Sequence, residues 1–404
     1  MSGQRSGVKW GGLPGIILAV LGLAFGLQLV GCATLQRGRA ALESAQSGPN
    51  LGTCACKVVS IASGSLAPGE APRLWVADEK RIMELTTDGS MKTVWEVPRF
   101  VRLLRLEAAD LNDDGVTEWV VLYDTGRFRS HVLRWTGTAW ESSKPWPGFL
   151  RPVLQADGTL RLLGQSTGGS RFHADRIVEV SSEADGLLVA GGQVKVVPGV
   201  FLYDFFWVPG ESPRLFVLEE SGSITERDPR SPAAVLWRSA ERIVARPLQL
   251  RRRARDMLGE VEDDTVRLTP PVVVTQWDGA SGPVVLLVTG PPAPMFAFEN
   301  LRIPGGGDVR VFDVGQRGLE ERVRSPLLGL DLSATWAGQL GGELLWLAAV
   351  WTKDSGGFVQ PESRIIRLDP ATGDPRSADR SAPLELPPAS APAVEEEHRQ
   401  QSQD

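Results

Sequence analysis

The sequence predicts an all-β protein, a six- or seven-bladed β-propeller, and three observations carry that reading. Thirteen Trp and thirteen Phe stand against two Tyr, with 44 Gly and 29 Pro, a composition suited to many short strands joined by tight turns. Helical periodicity is nearly absent. Six apolar, strand-like runs recur with turn residues on either side, at 73–77, 118–122, 159–163, 214–218, 284–288 and 343–347. Several lead through a turn into a second strand, as at 80–85 and 131–135. A unit of four short strands repeating about every 40 to 50 residues reads as a propeller blade, because each small sheet must stack on its neighbours to cover its faces.

The chain begins with a pattern of a different kind. Residues 1–31 carry a charged start (Arg5, Lys9), an apolar core at 13–27 that is short and Gly-rich for a membrane span, and small residues before a cysteine. That layout is a cleaved secretory signal. Leu29-Val30-Gly31-Cys32 resembles the lipobox of bacterial lipoproteins. The resemblance implies that Cys32 takes diacylglycerol on its sulfur and becomes the acylated first residue of the mature chain, palmitate-type chains holding it in the membrane. Several acyl chains on one residue anchor durably, where one alone holds only marginally. Ala33, in place of an acid, leans toward the outer membrane, so the expected location is the periplasmic face of the cell envelope. An uncleaved signal anchor is the alternative.

Residues 32–56 are small and polar and read as a lipidated tether. Within them Cys54-Ala55-Cys56 is ambiguous. In an oxidising compartment the pair suits a disulfide closing a tight ring, with a redox or metal role as alternatives. The propeller is expected over 57–373. Residues 374–404 are rich in Pro, Ala, Ser, Glu and Gln and hold too little apolar surface to offset ordering entropy, so they read as a disordered tail. A seventh blade is expected if the segments 58–61 and 365–368 pair and close the ring, which would remove exposed sheet edges. The widest interval, 238–271, holds the basic tract Arg251-Arg252-Arg253-Ala254-Arg255 followed by Glu260, Glu262, Asp263 and Asp264. Such close opposite charges suit a solvated, self-paired insertion, with a docking surface as the alternative.

One motif carries specific chemistry. In the loop 110–118, oxygen-bearing side chains alternate, a Gly follows where the chain must turn, and an acid ends the series. Calcium takes six to eight oxygens at about 2.3–2.6 Å, and a curled loop turns alternate residues inward. Asp110, Asn112 and Asp114 would supply side-chain ligands, Val116 its carbonyl, and Glu118 would close the cage around Ca2+. A plain Asx turn is the competing reading. The loop enters a strand directly, and in this it is similar to the FG-GAP repeat (integrin α-like, VCBS) of calcium-dependent propellers. Further matching segments lie at 149–151, 162–165, 203–207, 214–218 and 237–239, extending the resemblance over about residues 57–370. The corresponding loops at 63–69, 208–212, 276–282 and 336–341 carry one acid or none. Only the loop at Asp110 keeps a full ligand set.

Catalytic groups are scarce. The only histidines are His131, His173 and His398, which excludes a three-histidine metal centre in the body and leaves a Ser-His-Asp triad two candidates. Gly305-Gly306-Gly307 lacks the helix and lysine of a phosphate cradle. Asp331, Asp354 and Glu362 are the acids that a common end of the propeller would bring together for glycoside chemistry. The net charge of −6 argues against nucleic acid as partner. The expected role is therefore a non-catalytic, membrane-anchored scaffold for an envelope protein or glycan. A propeller-type polysaccharide lyase or hydrolase, or a small-ligand sensor, is the alternative.

Overall fold

The computed structural model describes residues 50–375 except 87, 169–171, 184–185, 243–247, 256–260, 277–281, 290–306, 327, 329–330, 341–342, 354–361 and 371. The expectations for the signal, for Cys32 and for the chain beyond 375 lie outside these residues.

The described chain is all strand and turn. β1 (Asn50–Cys54) comes first, and β2 to β5 (Val58–Gly64, Arg73–Asp78, Arg81–Leu85, Met91–Glu96) form the first antiparallel sheet in sequence order. A second sheet is β6 to β9 (Arg102–Ala109, Glu118–Asp124, Phe128–Trp135, Trp140–Ser142), and a third is β10 to β13 (Gly148–Leu154, Leu160–Ser166, Val178–Ser182, Leu188–Gln193). The fourth contains β14 to β17 (Phe205–Val208, Arg214–Leu218, Ile224–Arg227, Val235–Arg238). A two-stranded hairpin, β18 and β19 (Leu248–Arg255, Val261–Leu268), interrupts the series. The fifth sheet follows as β20 to β23 (Val273–Gln276, Pro283–Thr289, Asp308–Gly315, Gly318–Arg324). In the sixth, β24 to β26 (Asp331–Leu340, Glu343–Lys353, Glu362–Leu368) take β1 as their fourth strand.

Sheet stacking closes these units into a ring. The first strand of each sheet lies toward the axis, β2 touching both β6 and β24, and β10 touching β6 and β14. Apolar clusters fill the interfaces between consecutive sheets. Leu74, Val76 and Met83 of the first sheet pack on Leu347, Ala349 and Ile365 of the sixth, and Trp75 meets Trp119 of the second edge-on at 5.0 Å. Phe206 and Phe216 of the fourth face Val285, Leu287 and Phe312 of the fifth. The molecule is a six-bladed β-propeller.

The six apolar runs are the second strands of the six blades. A second strand has blades on both faces, so it is apolar continuously rather than alternately: β7, for example, is buried from Glu118 through Tyr123. The seventh-blade expectation is corrected. Residues 58–61 lie in β2 of the first blade and 365–368 in β26 of the last, and the two segments do not pair. Closure uses β1 instead, with Cys54 opposite Ser363 and Thr53 opposite Arg364. The propeller thus starts at Asn50, inside the segment expected to be tether. Ser363 fastens the join, its Oγ accepting the Val58 N–H at 3.1 Å and donating to the Cys56 carbonyl at 2.8 Å.

The charged insertion is the β18–β19 hairpin, whose register sets Arg252 opposite Asp264 and Arg253 opposite Asp263.

Candidate functional sites

The acidic loop joins the first strand of blade two, β6, to its second, β7. The loops expected to correspond at 63–69 and 208–212 occupy the same first-to-second connection in their blades, while 336–340 falls inside β24. These connections lie at one end of the ring. Thr117 and Ser65 bind the two neighbouring loops together, the Thr117 N–H donating to the Ser65 carbonyl at 2.8 Å and the Ser65 N–H to Thr117 Oγ1 at 3.0 Å.

Inside the loop, Asp110 accepts the N–H of Asp114 on Oδ1 at 3.2 Å and that of Gly115 on Oδ2 at 2.7 Å. Asn112 Oδ1 shares the Asp114 N–H at 3.2 Å, and Asp114 Oδ1 accepts the Val116 N–H at 2.8 Å. The tight curl uses left-handed backbone at Asp113 (φ 58°) and Gly115 (φ 80°), conformations that Asp and Gly adopt more readily than bulky residues. Glu118 is buried, and its Oε2 accepts the Leu111 N–H at 3.0 Å. Burial raises its pKa, and the nearby Asp114 and Asp110 add to the rise against the Leu111 amide and Arg134. Burial also pushes Asp114 up, but the Val116 amide, Asn112 and Arg134 outweigh it and the net shift is down.

The donor set suits a hard cation in type and spacing. One feature was not visible in the motif: Arg134, on the neighbouring β8, pairs with Asp114 Oδ2 and stands 3.6 Å from Glu118 Oε1. A guanidinium thus neutralises the same carboxylates that a cation would take. Among the described residues, the acid and cysteine group whose ligand atoms converge within 4.8 Å is Cys54, Cys56 and Asp78. It makes a poor metal centre, because Cys54 and Cys56 are joined as a disulfide and Asp78 already serves the Lys80 and Arg81 amides and the Arg81 guanidinium.

The axis holds a second concentration of charge. Arg105 and Arg151, in the first strands β6 and β10, are buried to 3% and 5% exposure. Arg105 bonds Glu107 through Nε, donates from Nη1 to the Thr269 carbonyl at 2.6 Å, and lies 4.4 Å over the Tyr203 ring. Arg151 donates from Nη1 to the carbonyls of Leu202 and Phe205 at 3.2 and 2.7 Å, and its Nε is 3.8 Å from Glu107. Burial lowers the Arg151 pKa, opposed chiefly by Glu107. The Thr269 hydroxyl donates to Asp204 at 2.8 Å. The exit of the hairpin, residues 268–271, is thereby bonded to blades two and four and lines a small axial cavity with Val59 of blade one and Ser333 of blade six.

Of the other residues singled out in the sequence, His131 lies in β8 with Nδ1 2.9 Å from Ser142 Oγ and 3.1 Å from the Ser143 carbonyl. His173 stacks on Phe201 at 5.0 Å and meets Gln165. Asp331 and Glu362 begin the first and third strands of blade six, and Asp354 falls outside the described residues.

No protein family matches the chain, and no curated protein does. Solved structures give distant likenesses. BBS1N in complex with ARL6DN is similar at 14% identity, over 79% of this chain and 81% of that one, with a TM-score of 0.38. AofleA from Arthrobotrys oligospora is similar at 11% identity, over 80% and 87%, with a TM-score of 0.40. A putative gluconolactonase is similar at 14% identity, over 80% and 92%, with a TM-score of 0.38. Likeness this distant carries no functional argument, and the propeller stands on the six sheets of this chain.

Proposed function

We propose that this protein is a non-catalytic, lipid-anchored propeller scaffold at the bacterial cell envelope, binding a protein partner on the ring end away from its anchor. The observation that carries the reading is the narrow axis. Residues 268–271 line it and leave a cavity of only about 20 Å³, and Glu107 and Asp204 there are committed to Arg105 and Thr269, which favours surface recognition over turnover. Strand direction supports the choice of end. β1 starts at Asn50, near the end of the ring that carries the acidic loop, and runs toward the opposite one, so a tether on Cys32 reaches the ring at the acidic-loop end. The far end displays Phe100, fully exposed and held at φ 67° in the turn between blades one and two. Bulky residues in this backbone region are rare and cluster at functional positions, and aromatic side chains are common interface anchors. On this reading the acidic loop takes one calcium ion when Arg134 withdraws, stiffening the anchor-side end.

The test is affinity capture from detergent-solubilised envelopes with the full-length lipidated protein and its Phe100→Ser variant. A specific envelope protein retained by the first and lost by the second is the expected result. Equal recovery by both sinks the assignment of the far end, and retention of glycan without protein replaces the partner class.

A further inference from the structure

The axial cavity has a feature that the scaffold reading does not use. It measures about 20 Å³ and is lined by Val59, Leu104, Arg105, Leu268, Thr269, Pro270, Pro271 and Ser333, a volume that admits about one water-sized occupant. Val59 and Ser333 sit near the starts of β2 and β24 and Arg105 near the middle of β6, which places the cavity between the middle of the ring and the end that carries Phe100. Arg105 is the one charged residue in its wall. That side chain is nearly fully buried, Nε and Nη1 are bonded, and Nη2 is buried with no hydrogen-bond partner. A buried donor left unpaired is costly, more so on a charged group.

We propose that this cavity is an anion site, taking a single monovalent anionic atom, a free halide ion or one oxygen of a carboxylate entering from the ring end, on Arg105 Nη2. The acid bonded to Arg105 is Glu107, which also faces Arg151 at 3.8 Å; the second carboxylate of the cluster, Asp204, interacts with Arg151 and is bonded to the Thr269 hydroxyl, so neither acid is bonded to Arg105 Nη2. In an apolar wall of Val59, Leu104, Leu268 and two prolines, an anion adds to the guanidinium hydrogen bond a full Coulomb attraction that a neutral water lacks, and occupancy requires that this attraction outweigh the anion's desolvation. Ser333 Oγ, at 3.3 Å from the Ala349 carbonyl, makes a long bond and is the second polar side chain that an occupant would meet.

The experiment is crystallography of the full-length protein with sodium bromide, collected at the bromine absorption edge, beside a crystal grown in sodium formate. An anomalous peak within hydrogen-bond reach of Arg105 Nη2 is the expected result in bromide. In formate, planar density at the same place identifies carboxylate as an accepted source, and its absence beside a bromide peak restricts the site to free halide. Replacing Arg105 risks the fold, so the control is Ser333→Val, which keeps the guanidinium and fills part of the cavity. It is expected to fold with the wild-type transition and to lose the peak. Water alone in the cavity under both salts, or a bromide peak unchanged in Ser333→Val, overturns the proposal.

Discussion

Arg105 Nη1 donates to the Thr269 carbonyl at 2.6 Å, joining residues 164 apart in the chain. The bond fixes the exit of an inserted hairpin to the axial strand of blade two, and the Thr269 hydroxyl extends it to Asp204 at the entry to blade four. Thr269→Val keeps the shape and the carbonyl but removes the hydroxyl donor. Loss of a buried hydrogen bond to a charged group costs about 1–3 kcal/mol. The urea midpoint is expected to fall by that energy divided by the slope of the transition, with the slope itself unchanged. An unchanged midpoint would show that the Thr269 hydroxyl does not hold the axial segment.

Ring closure concentrates on one hydroxyl. Ser363 Oγ joins Val58 and Cys56 across 305 and 307 residues, at the passage from the outer strand of the last blade to the inner strand of the first. Truncation past Gly356 removes β26 with Ser363, deprives β1 of its pairing strand and exposes the edge of β25. Open edges invite association with other chains, so the expected product is insoluble. A soluble truncation with a single cooperative unfolding transition would count against closure by β1.

The parts of the fold legible in the sequence share a physical cause. Second strands such as 119–122 and 284–288 are buried on both faces, so they stand out as unbroken apolar runs, one per blade. Outer strands leave little trace: β17 (Val-Leu-Trp-Arg) exposes most of its side chains, and β1 (Asn-Leu-Gly-Thr-Cys) reads as linker because its pairing is to a strand more than 300 residues away. The acidic loop was legible from spacing alone. Its guanidinium partner Arg134 was not, because the pairing arises only when β8 folds beside β7. A usable signal for the axial cluster did exist. Arg105 and Glu107 interrupt the apolar strand Leu103-Leu104-Arg105-Leu106-Glu107, and charges are rarely buried unless paired.

The half-buried His131 provides a pH response. Burial holds its pKa below the ordinary 6.5, with Arg129 adding to the effect and the Ser143 carbonyl opposing it. The folded protein therefore favours the neutral imidazole. Its contribution is complete above the unfolded value and is lost as pH falls through the depressed folded value. From pH 7.5 to 5 the thermal midpoint of the wild type is expected to drop further than that of His131→Gln, which has no proton to gain. Parallel curves would mean that the imidazole is solvated equally in both states.

Glu118 shifts in the opposite sense, and this provides a test of the proposed calcium ion in the acidic loop. Its pKa is raised by burial first, then by Asp114 and Asp110, so its favourable contribution exists below the unfolded carboxylate value and is lost as pH rises through the folded one. At neutral pH without divalent ions the buried carboxylate is a liability that Arg134 only partly offsets. Glu118→Gln is expected to raise the thermal midpoint in a calcium chelator at pH 7, with the gain shrinking as the pH is lowered toward 4. Millimolar calcium is expected to reverse the order, because an ion that binds the folded state alone stabilises it by mass action and the variant has lost the closing ligand. A wild-type midpoint indifferent to calcium would leave Asp110, Asn112, Asp114 and Glu118 as a turn held by its own amides and by Arg134.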